Sequence, residues 1–233
     1  MAKINKNSLK PTARDIAINA TRGLITGNIP FIGGMLDSLL SDFIPLEVNK
    51  RRDELLLSLD ESFKELEDEI NEDTIKTSEF ASLFIEAFRA SVSTDKQEKL
   101  NAFKAILLNC LTKQNPNFDE YEVITRIVTN LTSLHIKLMK LFHNPTKFLS
   151  ENNDASMRYG SPSMTSSLSQ LTMACFSEYS EDIITSTVKD LENMGIGNGV
   201  STGFSAMVTA TGPLQPKLTE FGNKVVLYIT FPS

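Results

Sequence analysis

Apolar residues recur along the middle of this 233-residue chain at helical rather than strand spacing. Leu55, Leu59, Phe63, Leu66 and Ile70 recur every three or four positions and lay one stripe along a helix. Phe80, Phe84 and Phe88, broadened by Leu83, Ile85 and Val92, predict a second amphipathic helix. Leu100, Phe103, Ile106, Leu107 and Cys110 predict a third, and the run Ile124, Ile127, Val128, Leu131, Leu134, Leu138, Leu141 a fourth and longest. Four such stripes with short connections bury themselves against one another, so a helical bundle is expected over residues 46–143.

Breakers agree with this pattern. Between Leu46 and Asn115 there is neither glycine nor proline, and no glycine lies between Met35 and Tyr159. Thr94 with Gln97, and Asn117 with Glu120, have capping-box spacing, which marks helix starts. Ahead of the bundle, residues 1–45 read as a short helix from Thr12 to Leu24, then a Gly/Pro-rich turn and a compact apolar helix that packs on the bundle. The polar stretch 144–162 reads as a linker, with a helical turn near Phe148.

Residues 163–233 change character, with glycines at 195, 197, 199, 203, 212 and 222. Ser163 to Phe176 predicts a helix. Ser180, followed by Glu181 and Asp182, predicts the start of a second one that ends at Gly195. Phe204 to Ala210 and Leu218 to Phe231 then read as a hairpin turned at Gly212-Pro213. The order helix, helix, glycine-rich hairpin resembles a winged helix. The expected fold is therefore mainly α, an N-terminal helical bundle followed by a small α+β winged-helix-like domain.

Composition and charge narrow the function. A net charge of -6 disfavours a nucleic-acid or anionic-lipid binder held by bulk electrostatics. The candidate recognition helix and its approach carry Glu178, Glu181, Asp182, Asp190 and Glu192 against Lys189 alone, a surface that repels DNA. Two cysteines, Cys110 and Cys175, in apolar surroundings predict free buried thiols and a cytoplasmic protein. The polar start of the chain has no signal-peptide pattern, and no run is long enough for a transmembrane helix.

Catalytic constellations are missing from the pattern. His135 and His143 are the only histidines, and neither belongs to a metal-ligand spacing. There is no G-x-S-x-G elbow. Glu67, Asp68 and Glu69 belong to the polar face of the first stripe. The run Gly195-Ile-Gly197-Asn-Gly199 follows a helix, whose C-terminus repels phosphate, so it reads as a turn. The expectation is no enzyme, no metal and no cofactor.

The candidate functional surface is the apolar segment before residue 50. It consists of Phe31, Ile32, Met35, Leu36, Leu39, Leu40 and Phe43, followed by Lys50, Arg51 and Arg52. Such a segment either covers the bundle and meets a partner or second copy, or lies on an anionic membrane surface.

The stretch Ser78 to Phe142 is similar to the Abi-alpha family of bacterial abortive-infection proteins. The similarity rests on Ser78-Glu79-Phe80-Ala81, on Glu98-Lys99-Leu100-Asn101-Ala102-Phe103 leading to Leu107-Leu108-Asn109, and on Val128 to Leu141. Phe103 stands where that family has Trp, and Leu131-Thr132-Ser133-Leu134 replaces its proline turn. The resemblance implies a helical core and a role in phage defence, and assigns no catalytic residue. The expected function is a non-enzymatic interaction protein of abortive infection that self-associates or binds a protein partner, with a membrane-active N-terminal segment as its variant. The alternative is a winged-helix transcriptional regulator that binds DNA.

Overall fold

The computed structural model describes residues 58, 59, 61, 62, 65, 66, 69–160 and 164–232. Over these the chain is mainly helical, as the apolar periodicity predicts, with one two-stranded antiparallel ribbon. The described residues fall into two compact units: those before 96, with 103–125 and 232, form unit 1, and 96–102 with 126–160 and 164–231 form unit 2.

The described part of unit 1 holds α1 (Glu72–Ile75), α2 (Ser78–Val92), most of α3 (Gln97–Leu111) and the first half of α4 (Phe118–Asn130). The second stripe is the buried face of α2. Phe80, Phe84 and Phe88 are almost fully enclosed, and the rings of Phe84 and Phe88 stack at 5.8 Å between centroids. Thr77 caps this helix by accepting the Phe80 amide. The third stripe is likewise buried at Phe103, Ile106, Leu107 and Cys110. Asn71 caps α1 through its side chain and ties it to the end of α3, its amide donating to Leu111 O at 2.9 Å. Buried Tyr121 closes the polar account, its hydroxyl donating to Asn109 O at 2.8 Å.

Unit 2 is organised around α5 (Ser133–His143), whose Ile136, Leu138, Met139, Leu141 and Phe142 are fully buried. It packs on α6 (Pro145–Glu151), α9 (Glu181–Asn193) and α10 (Glu220–Tyr228). The other elements are α7 (Asn153–Tyr159), α8 (Leu168–Cys175), β1 (Thr165–Ser166) and β2 (Val208–Thr209). The strands pair Thr165 with Thr209 and Ser166 with Val208.

Four expectations change. The longest stripe is two helices, not one. Thr132 is extended at ψ 167° and starts α5 with a capping box, so α4 ends at Asn130. The Thr94 start is displaced, because Leu100 N–H bonds Lys96 O and makes Lys96 the cap of α3. The stretch 144–162, expected as a linker, carries α6 and α7. Asn144 caps α6, Pro145 fills its first turn, and Phe148 meets Phe176 edge-on at 5.8 Å. Finally, Phe204 to Phe231 is not a hairpin. β2 pairs with β1 far upstream, and α10 occupies the expected second strand, capped by Thr219 on Gly222 N–H.

The glycine cluster is the expected turn. Gly195 has φ +71°, and the amides of Ile196 and Gly197 both return to Leu191 O, ending α9. The turn is pinned to the start of α10 by Thr219, whose hydroxyl donates to Gly195 O at 2.6 Å.

Candidate functional site

The residues that chemistry would recruit first are engaged in structural work. His135 occupies the third position of α5 and is buried. Its Nδ1 accepts the Thr132 amide at 3.2 Å and meets the Thr132 hydroxyl at 2.8 Å. Acceptance from an N–H places the ring proton on Nε2, which faces Asp190 Oδ2 at 3.8 Å, too far for a hydrogen bond. No basic nitrogen is left to act on a substrate. The sequence reading missed this cap because histidine replaces the usual Glu or Gln three residues after Thr132.

Burial holds the His135 imidazole below its ordinary pKa of 6.5, and Asp190 offsets part of that shift. Protonation would also remove the Nδ1 acceptor. A histidine with a depressed folded pKa stabilises fully above 6.5 and loses that contribution as pH falls from there towards the folded value. Thermal melts should therefore show a larger loss between pH 7.5 and about 5.5 for wild type than for His135→Gln, which rebuilds the box with a residue that does not titrate. Equal losses would refute the assignment.

His143 Nδ1 lies 2.7 Å from Asn223 Oδ1, joining the end of α5 to α10. Cys110 and Cys175 are free thiols that burial pushes up to about 12, with Lys113 and Arg158 respectively opposing the shift. Neither has the thiolate character of a nucleophile. Lys137 bridges Glu98 at 3.3 Å and Glu178 at 3.7 Å, a structural ion cluster within unit 2.

The acids of α9 are only partly spent. Glu181 accepts the Ser169 hydroxyl at 2.6 Å. Burial alone would raise the Glu192 carboxyl, but the Ser201 hydroxyl and the Ser201 and Val200 amides hold it below the usual range. Asp182 and Lys189 are exposed, leaving the helix with acidic surface. Glu69 is exposed, as a polar-face residue should be, whereas Glu67 and Asp68 lie outside the described residues.

A concave site is present among the described residues. A cavity of about 760 Å³ opens in unit 2 where three elements meet. The end of α7 supplies Arg158 and Tyr159, β1 supplies Thr165 and Ser166, and α8 supplies Gln170, Met173 and Ala174. Its floor is a directed chain of hydrogen bonds. Tyr159 OH donates to Ser166 Oγ at 3.0 Å, and Ser166 donates to Gln170 Oε1 at 3.0 Å. A second capping box, Ser167 with Gln170, starts α8 and fixes the glutamine further. Beside the cavity the ribbon carries exposed apolar side chains, Met164 at 81% and Met207 at 56% relative exposure just before its strands and Val208 at 43% on β2.

The surface expected from the sequence, Phe31 to Phe43 with Lys50, Arg51 and Arg52, lies outside the described residues. Among the described residues no group of His, Cys, Asp or Glu is arranged to hold a metal ion, and no helix is long and apolar enough to cross a membrane. Comparison of the chain with protein-family models, with curated proteins and with solved structures finds no match in any of the three.

Proposed function

We propose that this chain is a non-enzymatic interaction protein that works by self-association or by binding a protein partner. The observation that carries the reading is the apolar surface at the ribbon. Val208 on β2, with Met164 and Met207 just before the two strands, stands in water at a ribbon of two residues per strand. Scattered single apolar side chains are ordinary on any surface. Three at one ribbon, two of them flexible thioethers, suit a contact that must adapt to its partner. The engaged state of His135 and the raised thiols favour binding over catalysis.

A role in bacterial defence against phage is part of the proposal, and what supports it is the resemblance of residues 78–142 to the Abi-alpha family. The alternative, a DNA-binding regulator, draws no support from α9, whose exposed groups are mostly acidic.

Light scattering and a plaque assay test the proposal together. Purified chain should show a mass above the monomer's 25.9 kDa that rises with concentration, or should cross-link to a discrete partner in infected cells. Met164→Asp combined with Met207→Asp should abolish that association and the protection against phage while leaving the helical circular dichroism intact. A monomeric wild type with no cross-linked partner, or a double variant that associates and protects as well as wild type, would overturn it.

A further inference from the structure

We infer that the cavity between α7, β1 and α8 binds a small organic anion that carries an apolar body. This goes beyond partner binding and stands on a separate set of residues. The argument begins with the direction of the hydrogen bonds. Ser167 N–H is necessarily a donor, and it meets the Gln170 side chain at 3.2 Å. The atom it meets is therefore the amide oxygen, which also accepts Ser166 Oγ–H. With Oε1 held by two donors, the Gln170 NH₂ group is left as the free end, and it can only donate.

Arg158 is oriented in the same way. Its Nε donates to Ala174 O at 2.7 Å, which sets the guanidinium plane and leaves both terminal nitrogens as a fork. Among the described residues no carboxylate pairs with this cation. No Asp or Glu lines the cavity, while Thr165 adds a hydroxyl. The site thus presents an exposed cation tethered at Nε and an exposed, oriented amide donor, and no carboxylate lines it. Met173, Ala174 and the Tyr159 ring supply the apolar part of the wall.

A planar carboxylate satisfies the fork with two parallel hydrogen bonds, and a phosphate monoester offers the same pair of oxygens. The volume of about 760 Å³ is far more than an inorganic ion fills and falls within the range of small-molecule sites. The ligand is therefore an acid with an aryl or alkyl body, its charge on Arg158 and its body against Met173.

Calorimetric titration of the full chain tests this with four probes: phenylacetate, phenyl phosphate, inorganic phosphate and the neutral phenylacetamide. Saturable binding of phenylacetate or phenyl phosphate is expected, and the stronger of the two identifies the acid. Inorganic phosphate and phenylacetamide should each bind at least about tenfold more weakly. Arg158→Gln should weaken the preferred anion by about tenfold or more, because it removes the charge and the fork. Met173→Trp, which fills the cavity and leaves the arginine in place, should do the same by exclusion. The second variant guards against a loss that merely reflects the missing Ala174 hydrogen bond. Absence of saturable binding by both organic anions, equal binding of the amide, or unchanged affinity in both variants would overturn the proposal.

Discussion

Gly222→Ala should destabilise unit 2 by about 3 kcal/mol, a cost on the scale of a backbone clash in a packed site. A Cβ at this position would stand 2.3 Å from Ile196 O, closer than real Cβ atoms come, and a tight 3.1 Å from Ile196 C. The neighbour cannot yield cheaply because it is backbone. Ile196 O accepts the Thr219 amide at 3.0 Å and the Thr219 hydroxyl at 3.2 Å, and Ile196 N–H is held by Leu191 O at 2.9 Å. One carbonyl therefore ties the end of α9 to the cap of α10, and the glycine lets the two meet. Gly203→Ala is the matched control. Nothing lies within 4 Å of its added methyl, and its φ is not in the left-handed region. That variant should be neutral or slightly stabilising, by about 0.5 kcal/mol, through the restricted unfolded chain. Urea denaturation of both variants reads the difference. A Gly222→Ala variant as stable as Gly203→Ala would show that α10 does not approach Ile196 as described.

The same contact shows why the sequence misled at the C-terminus. Val225, Val226 and Ile229 are β-branched residues after a glycine-rich stretch, which favours a strand by propensity. Thr219-Glu220 gave the opposing signal, a cap with an acid in the first turn, and burial of Val225, Val226, Tyr228 and Ile229 follows helical spacing. Tertiary packing decided the matter. At Thr132 the apolar spacing Val128, Leu131, Leu134 runs unbroken across the gap between α4 and α5, so periodicity alone could not reveal the break. In residues 144–162 the polar composition hid two short helices whose Asn144-Pro145 start is legible once read as a cap.

By contrast, α2, α3 and α9 were legible because long stripes, breaker-free stretches and a terminal glycine all point the same way. The cavity could not be read at all. Arg158, Thr165 and Gln170 come from three elements and form no motif, and the direction of each hydrogen bond exists only after folding. One local clue was present, since Ser167 with Gln170 has capping-box spacing and fixes the glutamine that orients the site.

Phe84→Ala should lower the stability of unit 1 by about 3–5 kcal/mol, the range for a large aromatic side chain removed from a filled core. Three observations set the size. The side chain is fully buried, it lies at the centre of the α2 stripe, and it touches a ring on either side, Phe80 at 6.4 Å and Phe88 at 5.8 Å between centroids. Truncation thus removes the transferred apolar area and both ring contacts, and it leaves a cavity that neighbouring rings on a helix cannot close by small shifts. Phe84→Leu keeps most of the volume and should cost about 1–1.5 kcal/mol. The two variants together separate volume from aromatic geometry. Typical domain stabilities are about 5–15 kcal/mol, so the alanine variant should give up a large share of the total in urea denaturation. A loss below about 1 kcal/mol for alanine, with leucine indistinguishable from wild type, would mean that the Phe80–Phe84–Phe88 face is loosely packed. The stripe that first identified this helix in the sequence would then mark an apolar face without a close-packed core behind it.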